Sequence, residues 1–317
     1  MWLAAGCSLF TDLSGLAGDL QPPGAGLEGG ADSGRDVVTP EEAAPTRDAG
    51  RCDPTKAFGA PAPLAELDLP GENDRAARLT PDELTIYFSS DRSNIRRIYR
   101  ATRARTDDAF GPPALLDELT TPSVSFTAAA PSADGLELII EQRAVDAGGG
   151  ADLHRLTRAT MAAPFGNATD IGSVNTAQDE TDPHLGAGDL ELWFARPAIG
   201  GFDIFLASRP ALAAPFGPAS SLAGVINRPS VSETDPVPSA DGTELFFQSD
   251  RDGPSRIFVA HRTSPSEPFG APAHVKELDG TGTNDVPNWL STDRCVLYMT
   301  STPGSGISDL YVATRPR

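Results

Sequence analysis

Residues 235–262 have the sequence DPVPSADGTELFFQSDRDGPSRIFVAHR, which predicts three short β-strands joined by two tight turns. The first turn covers 239–242, SADG, because an Asp-Gly pair accepts the positive φ that such turns require. The middle strand covers 243–249, and a second turn at 250–254 contains Gly and Pro. Over 256–262, apolar and polar residues alternate as in a half-buried strand. The stretch is therefore an antiparallel meander.

The same unit recurs along most of the chain, every 52 to 54 residues. Each copy has an apolar middle strand, and each third strand ends at an arginine. The middle strands are centred on Tyr87, Ile139, Trp193, Phe246 and Tyr298, and the arginines are Arg103, Arg158, Arg209, Arg262 and Arg315. A period near 50 residues with several short strands per period is the signature of β-propeller blades.

A Phe-Gly pair precedes a weaker fourth strand in each repeat. The phenylalanines are Phe58, Phe110, Phe165, Phe216 and Phe269. This series begins before the first middle strand, whereas the last repeat stops at Arg315 without an outer strand of its own. Residues 58–67 can therefore supply that strand. We expect an all-β fold, a five-bladed β-propeller with four-stranded blades, whose N-terminal strand closes the last blade and leaves no edge open.

The repeat resembles the WD40-like repeats of TolB-type periplasmic propellers. Their unit runs Asp, Pro, Ser-Pro-Asp-Gly, an apolar strand, a turn with Arg, and Asp-Ile-Tyr. The matching stretches are Asp235-Pro236, Ser239-Ala240-Asp241-Gly242, Phe246-Phe247, Ser249-Asp250-Arg251, Asp203-Ile204-Phe205 and Asp309-Leu310-Tyr311. The resemblance covers residues 58–317 and implies the fold. It implies no activity, because such repeats serve many functions.

The net charge of the chain limits the classes of partner that it can bind. The 317 residues include 25 Lys and Arg against 44 Asp and Glu, a net charge of −19. Such a surface repels phosphate backbones and anionic lipid headgroups, so we expect no nucleic-acid partner. No run of 18 apolar residues is present, so no membrane-spanning helix is expected.

The first residues, 1–7, resemble the lipobox of bacterial lipoproteins, in which a small residue precedes a cysteine that becomes lipidated. Ala5, Gly6 and Cys7 match that motif, although Ala4 stands where Leu is usual and most of the signal sequence is missing. A cytosolic start with a chance Gly-Cys is the alternative. On the lipoprotein interpretation, we expect the bacterial cell envelope as the location and Cys7 as the only attachment to the membrane.

Residues 8–51 are rich in Gly, Ala, Pro and acids, with almost no aromatic residues. Such a segment cannot bury enough apolar surface to offset the ordering of its backbone, so it is predicted to be a disordered tether. A flexible chain of this length has an end-to-end distance of roughly 35–40 Å. The propeller would then occupy residues 52–317.

Carboxylates recur where the innermost strand of a blade begins, at the mouth of the central channel. They are Asp74, Glu180, Asp182, Glu233, Asp235 and Asp285. The residues of the pairs 180/182 and 233/235 are two apart, which predicts that each pair points to one side of its strand. One interpretation is an acidic ring that binds Ca²⁺ or a basic group on a partner. The other is structural, with the acids bonded to backbone N–H groups or to Arg92, Arg196 and Arg251.

Few residues indicate catalysis. The four histidines, His154, His184, His261 and His274, lack metal-ligand spacing, and only His184 lies on a predicted inner strand. Trp289 is better explained as a core residue than as a sugar-stacking platform. No Gly-x-Ser-x-Gly elbow, Walker loop or Cys-x-x-Cys motif is present.

We therefore expect a monomeric, non-catalytic binding propeller without a resident cofactor, whose partner is an envelope protein or a carbohydrate. The alternative is a glycoside hydrolase, since five-bladed propellers host such enzymes. Hydrolysis requires two carboxylates, one of them with a raised pKa.

Three cysteines are present in the chain. If Cys7 is lipidated, Cys52 and Cys295 remain as a pair, and both are expected at the same end of the last blade. We predict a disulfide between them, which requires an oxidising compartment. The alternative is two free thiols.

Overall fold

The computed structural model describes residues 50–145, 150–222, 224–280, 282 and 284–317. The predicted lipobox with Cys7 and nearly all of the predicted tether lie outside these residues. Among the described residues, no helix is long and apolar enough to cross a membrane.

Five antiparallel sheets of four strands each make up the described chain. Blade 1 contains β2 (Asp74–Leu79), β3 (Thr85–Ser90), β4 (Arg97–Thr102) and β5 (Ala114–Leu115). Blade 2 contains β6 (Val124–Pro131), β7 (Glu137–Ala144), β8 (Ala151–Thr157) and β9 (Thr169–Asp170). Blade 3 contains β10 (Thr181–Gly186), β11 (Glu191–Ala198), β12 (Gly201–Ser208) and β13 (Ser220–Ser221).

Blade 4 contains β14 (Glu233–Pro238), β15 (Glu244–Ser249), β16 (Arg256–His261) and β17 (Ala273–His274). Blade 5 contains β18 (Asn284–Leu290), β19 (Val296–Thr302), β20 (Asp309–Thr314) and the N-terminal β1 (Ala62–Pro63). Short 3₁₀ helices at Asp117–Leu119 and Lys276–Leu278 follow the outer strands of blades 1 and 4. The inner strands β2, β6, β10, β14 and β18 lie side by side in a closed ring. The predicted five-bladed propeller is therefore confirmed.

The N-terminal strand closes the ring as the repeat register predicts. Ala62 pairs with Val312 and Pro63 with Tyr311, both antiparallel. The Gly59 N–H also donates to the Thr314 carbonyl oxygen at 2.8 Å. Blade 5 thereby acquires its fourth strand from the opposite end of the described chain.

A disulfide joins Cys52 to Cys295, with the two Cα atoms 5.6 Å apart. Cys295 immediately precedes β19, on the face of the ring where the second strands begin. The predicted pairing is confirmed, and it holds the segment before β1 against blade 5.

The core lies between neighbouring blades. The apolar middle strands are buried because blades stack on both of their faces, and Tyr87, Phe88, Trp193, Phe194 and Phe247 have no exposed surface. This arrangement explains why the middle strands are continuously apolar, whereas a half-exposed sheet would show alternation.

The arginine that follows each third strand stacks on the phenylalanine of a Phe-Gly pair. The guanidinium carbon lies 4.3–4.5 Å from the ring centroid in Arg103–Phe110, Arg158–Phe165, Arg209–Phe216, Arg262–Phe269 and Arg315–Phe58. In blade 5 the phenylalanine comes from the N-terminal segment, so the stacking follows the closure of the ring. The repeated arginines are structural, as their periodicity predicts.

Candidate functional site

Four of the six predicted carboxylates are buried and form salt bridges within the fold. Their side chains have no exposed surface: Asp74, Glu180, Glu233 and Asp285. Arginines near the ends of the second strands bond three of them, in the pairs Arg92–Asp74 (2.7 Å), Arg196–Glu180 (2.7 Å) and Arg251–Glu233 (2.9 Å). In blade 5, Asp285 instead bonds Arg256 from blade 4 at 2.6 Å. Asp74, Glu180 and Glu233 thus bond the three arginines that the structural interpretation names.

Backbone donors complete these pairs. The second oxygen of Asp74 accepts the Leu69 N–H at 2.8 Å, and that of Glu233 accepts the Arg228 N–H at 3.2 Å. Each carboxylate thus fixes the loop that enters its blade. Blade 2 has Phe126 at this position, and Arg97 lies over its ring at 5.8 Å.

The two remaining acids, Asp182 and Asp235, line the channel. Both adopt a left-handed backbone, with φ of 57° and 51°, where the pairing register of their strands shifts. This bulge breaks the alternation of the strand. The expectation that the members of each pair, 180/182 and 233/235, point to one side is therefore wrong: the first anchors a loop and the second faces the channel.

A cavity of about 360 Å³ opens at the centre of the ring, on the face where the inner strands begin. All five blades contribute polar side chains to its wall: Arg75 and Arg96, Glu141 and Arg143, Thr181 and Asp182, Thr234, Asp235 and Gln248, and Asn284, Asn288 and Thr300. Phe202 adds an aromatic ring. This volume lies within the range of small-ligand sites, and the wall is more polar than is usual for them.

Sequence reasoning missed a third carboxylate of the channel, Glu141. It lies on β7, the second strand of blade 2, and is 4% exposed. One of its oxygens accepts the Asp182 N–H at 3.1 Å. Burial, with a smaller contribution from Asp182, raises the pKa of Glu141 to about 7. Burial likewise raises the pKa of Asp182 and, together with the neighbouring charge of Asp182, that of Asp235.

Sequence reasoning also missed Arg78, on the inner strand of blade 1. Its side chain is 1% exposed, and its three guanidinium nitrogens have no hydrogen-bond partner among the described residues. Burial lowers its pKa, while attraction to Asp235, Asp182 and Glu141 opposes that effect. Neither Arg78 nor Glu141 has a counterpart of the same residue type in the other repeats, which marks both as departures from the repeat but does not place them in the channel.

A smaller cavity of about 60 Å³ lies at the opposite end of the channel, where Arg78, His184 and Trp289 contribute to its wall. Burial and the Arg78 charge lower the pKa of His184 well below its usual range, so this imidazole is neutral. Trp289 is a core residue, buried edge-to-face against Tyr298 with 5.9 Å between ring centroids.

The Ca²⁺ interpretation gains no support from this geometry. Over the described part of the chain, no group of three or more Asp, Glu, His or Cys side chains is arranged to hold a metal ion. Most of the predicted ring is already neutralised by arginines.

No protein-family model matches this sequence, and no curated protein matches it either. Solved structures do share its fold. TolB from Acinetobacter baumannii is 12% identical, with a TM-score of 0.47, over 77% of this chain and 55% of that one. This chain therefore spans 55% of the length of that TolB.

Two glycoside hydrolases are also similar. A family 117 glycoside hydrolase from Zobellia galactanivorans is 14% identical over 82% of this chain and 90% of that one, with a TM-score of 0.50. The catalytic domain of a GH62 α-L-arabinofuranosidase from Coprinopsis cinerea is 9% identical over 82% and 97%, with a TM-score of 0.53. At these identities the likeness establishes the propeller fold and nothing about activity.

Proposed function

We propose that this protein is a non-catalytic ligand-binding propeller, displayed from a bacterial cell envelope by a lipid anchor at Cys7, and that it takes its ligand at the channel mouth. The observation that carries the binding function is the central cavity of about 360 Å³, to which every blade contributes polar side chains. The envelope location rests on the lipobox-like residues 1–7 and on the Cys52–Cys295 disulfide, since disulfides persist in oxidising compartments.

The cavity wall contains unused hydrogen-bonding groups. Asn288 Nδ2 and Arg75 Nε are buried there without a partner among the described residues. A buried donor without a partner is costly in free energy, so it is normally retained for a ligand or an ordered water.

Binding can be tested by thermal unfolding with a panel of neutral oligosaccharides, acidic oligosaccharides, and basic and acidic peptides. A compound that binds the folded state raises the melting temperature by mass action. An Asn288→Leu variant should lose that shift, whereas Glu66→Gln, at an exposed position outside the cavity, should keep it. A panel in which no class of compound shifts the melting temperature would contradict the binding function.

A glycoside hydrolase is the second candidate, and one observation favours it. Glu141, with a pKa raised to about 7, lies beside Asp182 in the channel. A partly protonated carboxyl next to a second carboxylate is the combination that glycosidic hydrolysis uses. Its burial and its bond to the Asp182 N–H limit its access to a substrate.

Release of reducing sugar from α- and β-linked oligosaccharides would identify the enzyme. Turnover should then be lost in both Glu141→Gln and Asp182→Asn, because each removes one of the two carboxylates. Binding of an oligosaccharide that survives unchanged over long incubation would leave the non-catalytic function.

A further inference from the structure

We propose that the ligand of the channel mouth is a neutral, hydroxyl-rich molecule with the chemistry of a carbohydrate, which deepens the binding function proposed above. The donors, acceptors and charges that the blades bring to the channel select this class over cations, anions and apolar molecules.

Donors lie on the blade 1 and blade 5 sides of the channel. In the cavity wall, Arg75 presents Nε and Asn288 presents Nδ2, both buried and without partners among the described residues. The Asn288 side chain is held in place because its Oδ1 accepts the Thr300 hydroxyl at 2.7 Å. These donors are therefore oriented before a ligand arrives, which lowers the entropy lost on binding.

Acceptors come from blades 2, 3 and 4. Asp182, Asp235 and Glu141 line the cavity, and each attracts the charge of Arg78. Asp182 and Asp235 each take up an uncommon left-handed backbone. Ala76 has the same backbone at the equivalent position of blade 1, with φ of 55°, so the repeated bulge of the inner strand places these acids in the cavity wall.

The charges oppose ionic ligands of either sign. A cation entering toward the carboxylates would be desolvated beside Arg78, and an anion entering toward Arg78 would meet three carboxyl groups. The rim arginines do not change this balance, because Arg96 bonds Asp91 at 2.9 Å and Arg143 bonds Asp179 at 2.8 Å.

An apolar ligand would leave the same donors and acceptors buried without partners, at a large cost in free energy. A hydroxyl group donates one hydrogen bond and accepts two, so adjacent hydroxyls can accept from Arg75 and Asn288 while donating to Asp182 and Asp235. In the unliganded protein, water can make these bonds, and a hydroxyl that replaces it preserves them.

The experiment is calorimetric titration at pH 7 with four kinds of compound: neutral trisaccharides (xylotriose, cellotriose, maltotriose, chitotriose), trigalacturonic acid, a lysine tripeptide and a glutamate tripeptide. We expect a neutral trisaccharide to bind. Arg75→Met and Asn288→Leu should each weaken it about tenfold or more, because each removes a hydrogen bond to the ligand. Arg100→Met, on the third strand of the same blade and outside the cavity, is the matched control and should bind normally.

The melting temperature of Arg75→Met separates a ligand-binding role from a structural one. The Arg75 side chain donates one hydrogen bond, from Nη2 to Asn73 Oδ1 at 2.7 Å, so this variant should melt close to the unmodified protein. A clearly lower melting temperature together with unchanged binding would show that Arg75 serves folding alone and would overturn the proposal.

Two further outcomes distinguish this proposal from the function on which it rests. Binding of a charged compound but of no neutral sugar would refute the ligand class and leave the binding function in place. Failure of every compound to bind would contradict both the ligand class and the binding function. A neutral sugar whose affinity is unaffected by either variant would place its site elsewhere and would also overturn the proposal.

Discussion

Glu141 should make stability depend on pH in the direction opposite to an ordinary surface acid. Burial raises its folded-state pKa to about 7, above the usual value of 4.5, so the native state holds a proton that the unfolded chain releases. Its contribution is therefore fully present below about pH 4.5 and is lost as the pH rises through 7. Glu141→Gln keeps an acceptor for the Asp182 N–H. At pH 8, its free energy of unfolding in urea should exceed that of the unmodified protein by on the order of 2 kcal/mol.

The comparison requires urea unfolding at pH 5 and at pH 8. At pH 5, where the glutamic acid is already neutral, the two proteins should be close in stability. Glu66→Gln, at an exposed position, serves as the control and should change neither value. A Glu141→Gln variant that is less stable at both pH values would show that an ionised carboxylate is needed in the fold.

The ion pair of blade 4 offers a second test at the scale of single residues. Arg251 bonds Glu233 at 2.9 Å, with side chains 5% and 0% exposed. Arg251→Met leaves a buried carboxylate without its cation, which should cost about 3–5 kcal/mol. The double variant Arg251→Met/Glu233→Gln should recover much of this loss, and a urea double-mutant cycle measures it. Equal losses in the single and double variants would contradict the pairing.

The paired acids could be predicted from the sequence because they recur with the blades. Their arginine partners recur too, so periodicity alone indicated a structural role for Glu180 and Glu233. Arg78, Glu141 and Asn288 could not be placed by this reasoning, because each has a different residue type at the corresponding position of other repeats. Their proximity depends on the closure of the ring, which brings distant segments to one channel.

At the scale of the strand, the assumed alternation of side-chain directions gave a wrong prediction for the inner strands. Period-two reasoning places residues i and i+2 on one side, but the backbone turns at Asp182 and Asp235, where φ is positive. Neither residue is Gly, so no sequence signal for a bulge is present there. The third and fourth strands, which lack such irregularities near their arginines, were predicted with their correct order and pairing.

The Arg–Phe stacking should contribute similarly to the free energy of unfolding in blades where its geometry is the same. Arg158 lies 4.4 Å from the centroid of Phe165 and Arg209 lies 4.5 Å from that of Phe216. Phe165→Leu and Phe216→Leu should each lower stability by about 1–2 kcal/mol, since both lose the ring face under a guanidinium. Calorimetric unfolding measures the losses. A loss confined to one of the two would show that the repeated contact is not a repeated source of stability.

At the scale of the whole molecule, the disulfide ties together segments 243 residues apart in the chain. A cross-link over so long a loop restricts the unfolded state, and the chain-entropy estimate is on the order of 4–5 kcal/mol, as an upper value. Cys52→Ser/Cys295→Ser should therefore unfold at clearly lower urea while keeping its circular dichroism spectrum. Addition of reductant to the unmodified protein should reproduce this loss. Two alkylatable thiols in the non-reduced protein would contradict the bond.

Because β1 closes the ring, its deletion is expected to cause the largest loss of stability among these variants. Deletion of residues 53–68 removes the strand that pairs with β20, and it removes Phe58, whose ring centroid lies 4.3 Å from the Arg315 guanidinium carbon. The backbone of β20 would then lie at an open sheet edge, which can pair with the same edge of another molecule. We expect association in size-exclusion chromatography and a greater loss of melting temperature than in the cysteine double variant, which keeps the strand and loses only the cross-link. The deletion variant could instead remain monomeric and have the same melting temperature as the cysteine double variant. The N-terminal strand would then contribute no stability beyond that of the disulfide, and the ring would not depend on it for closure.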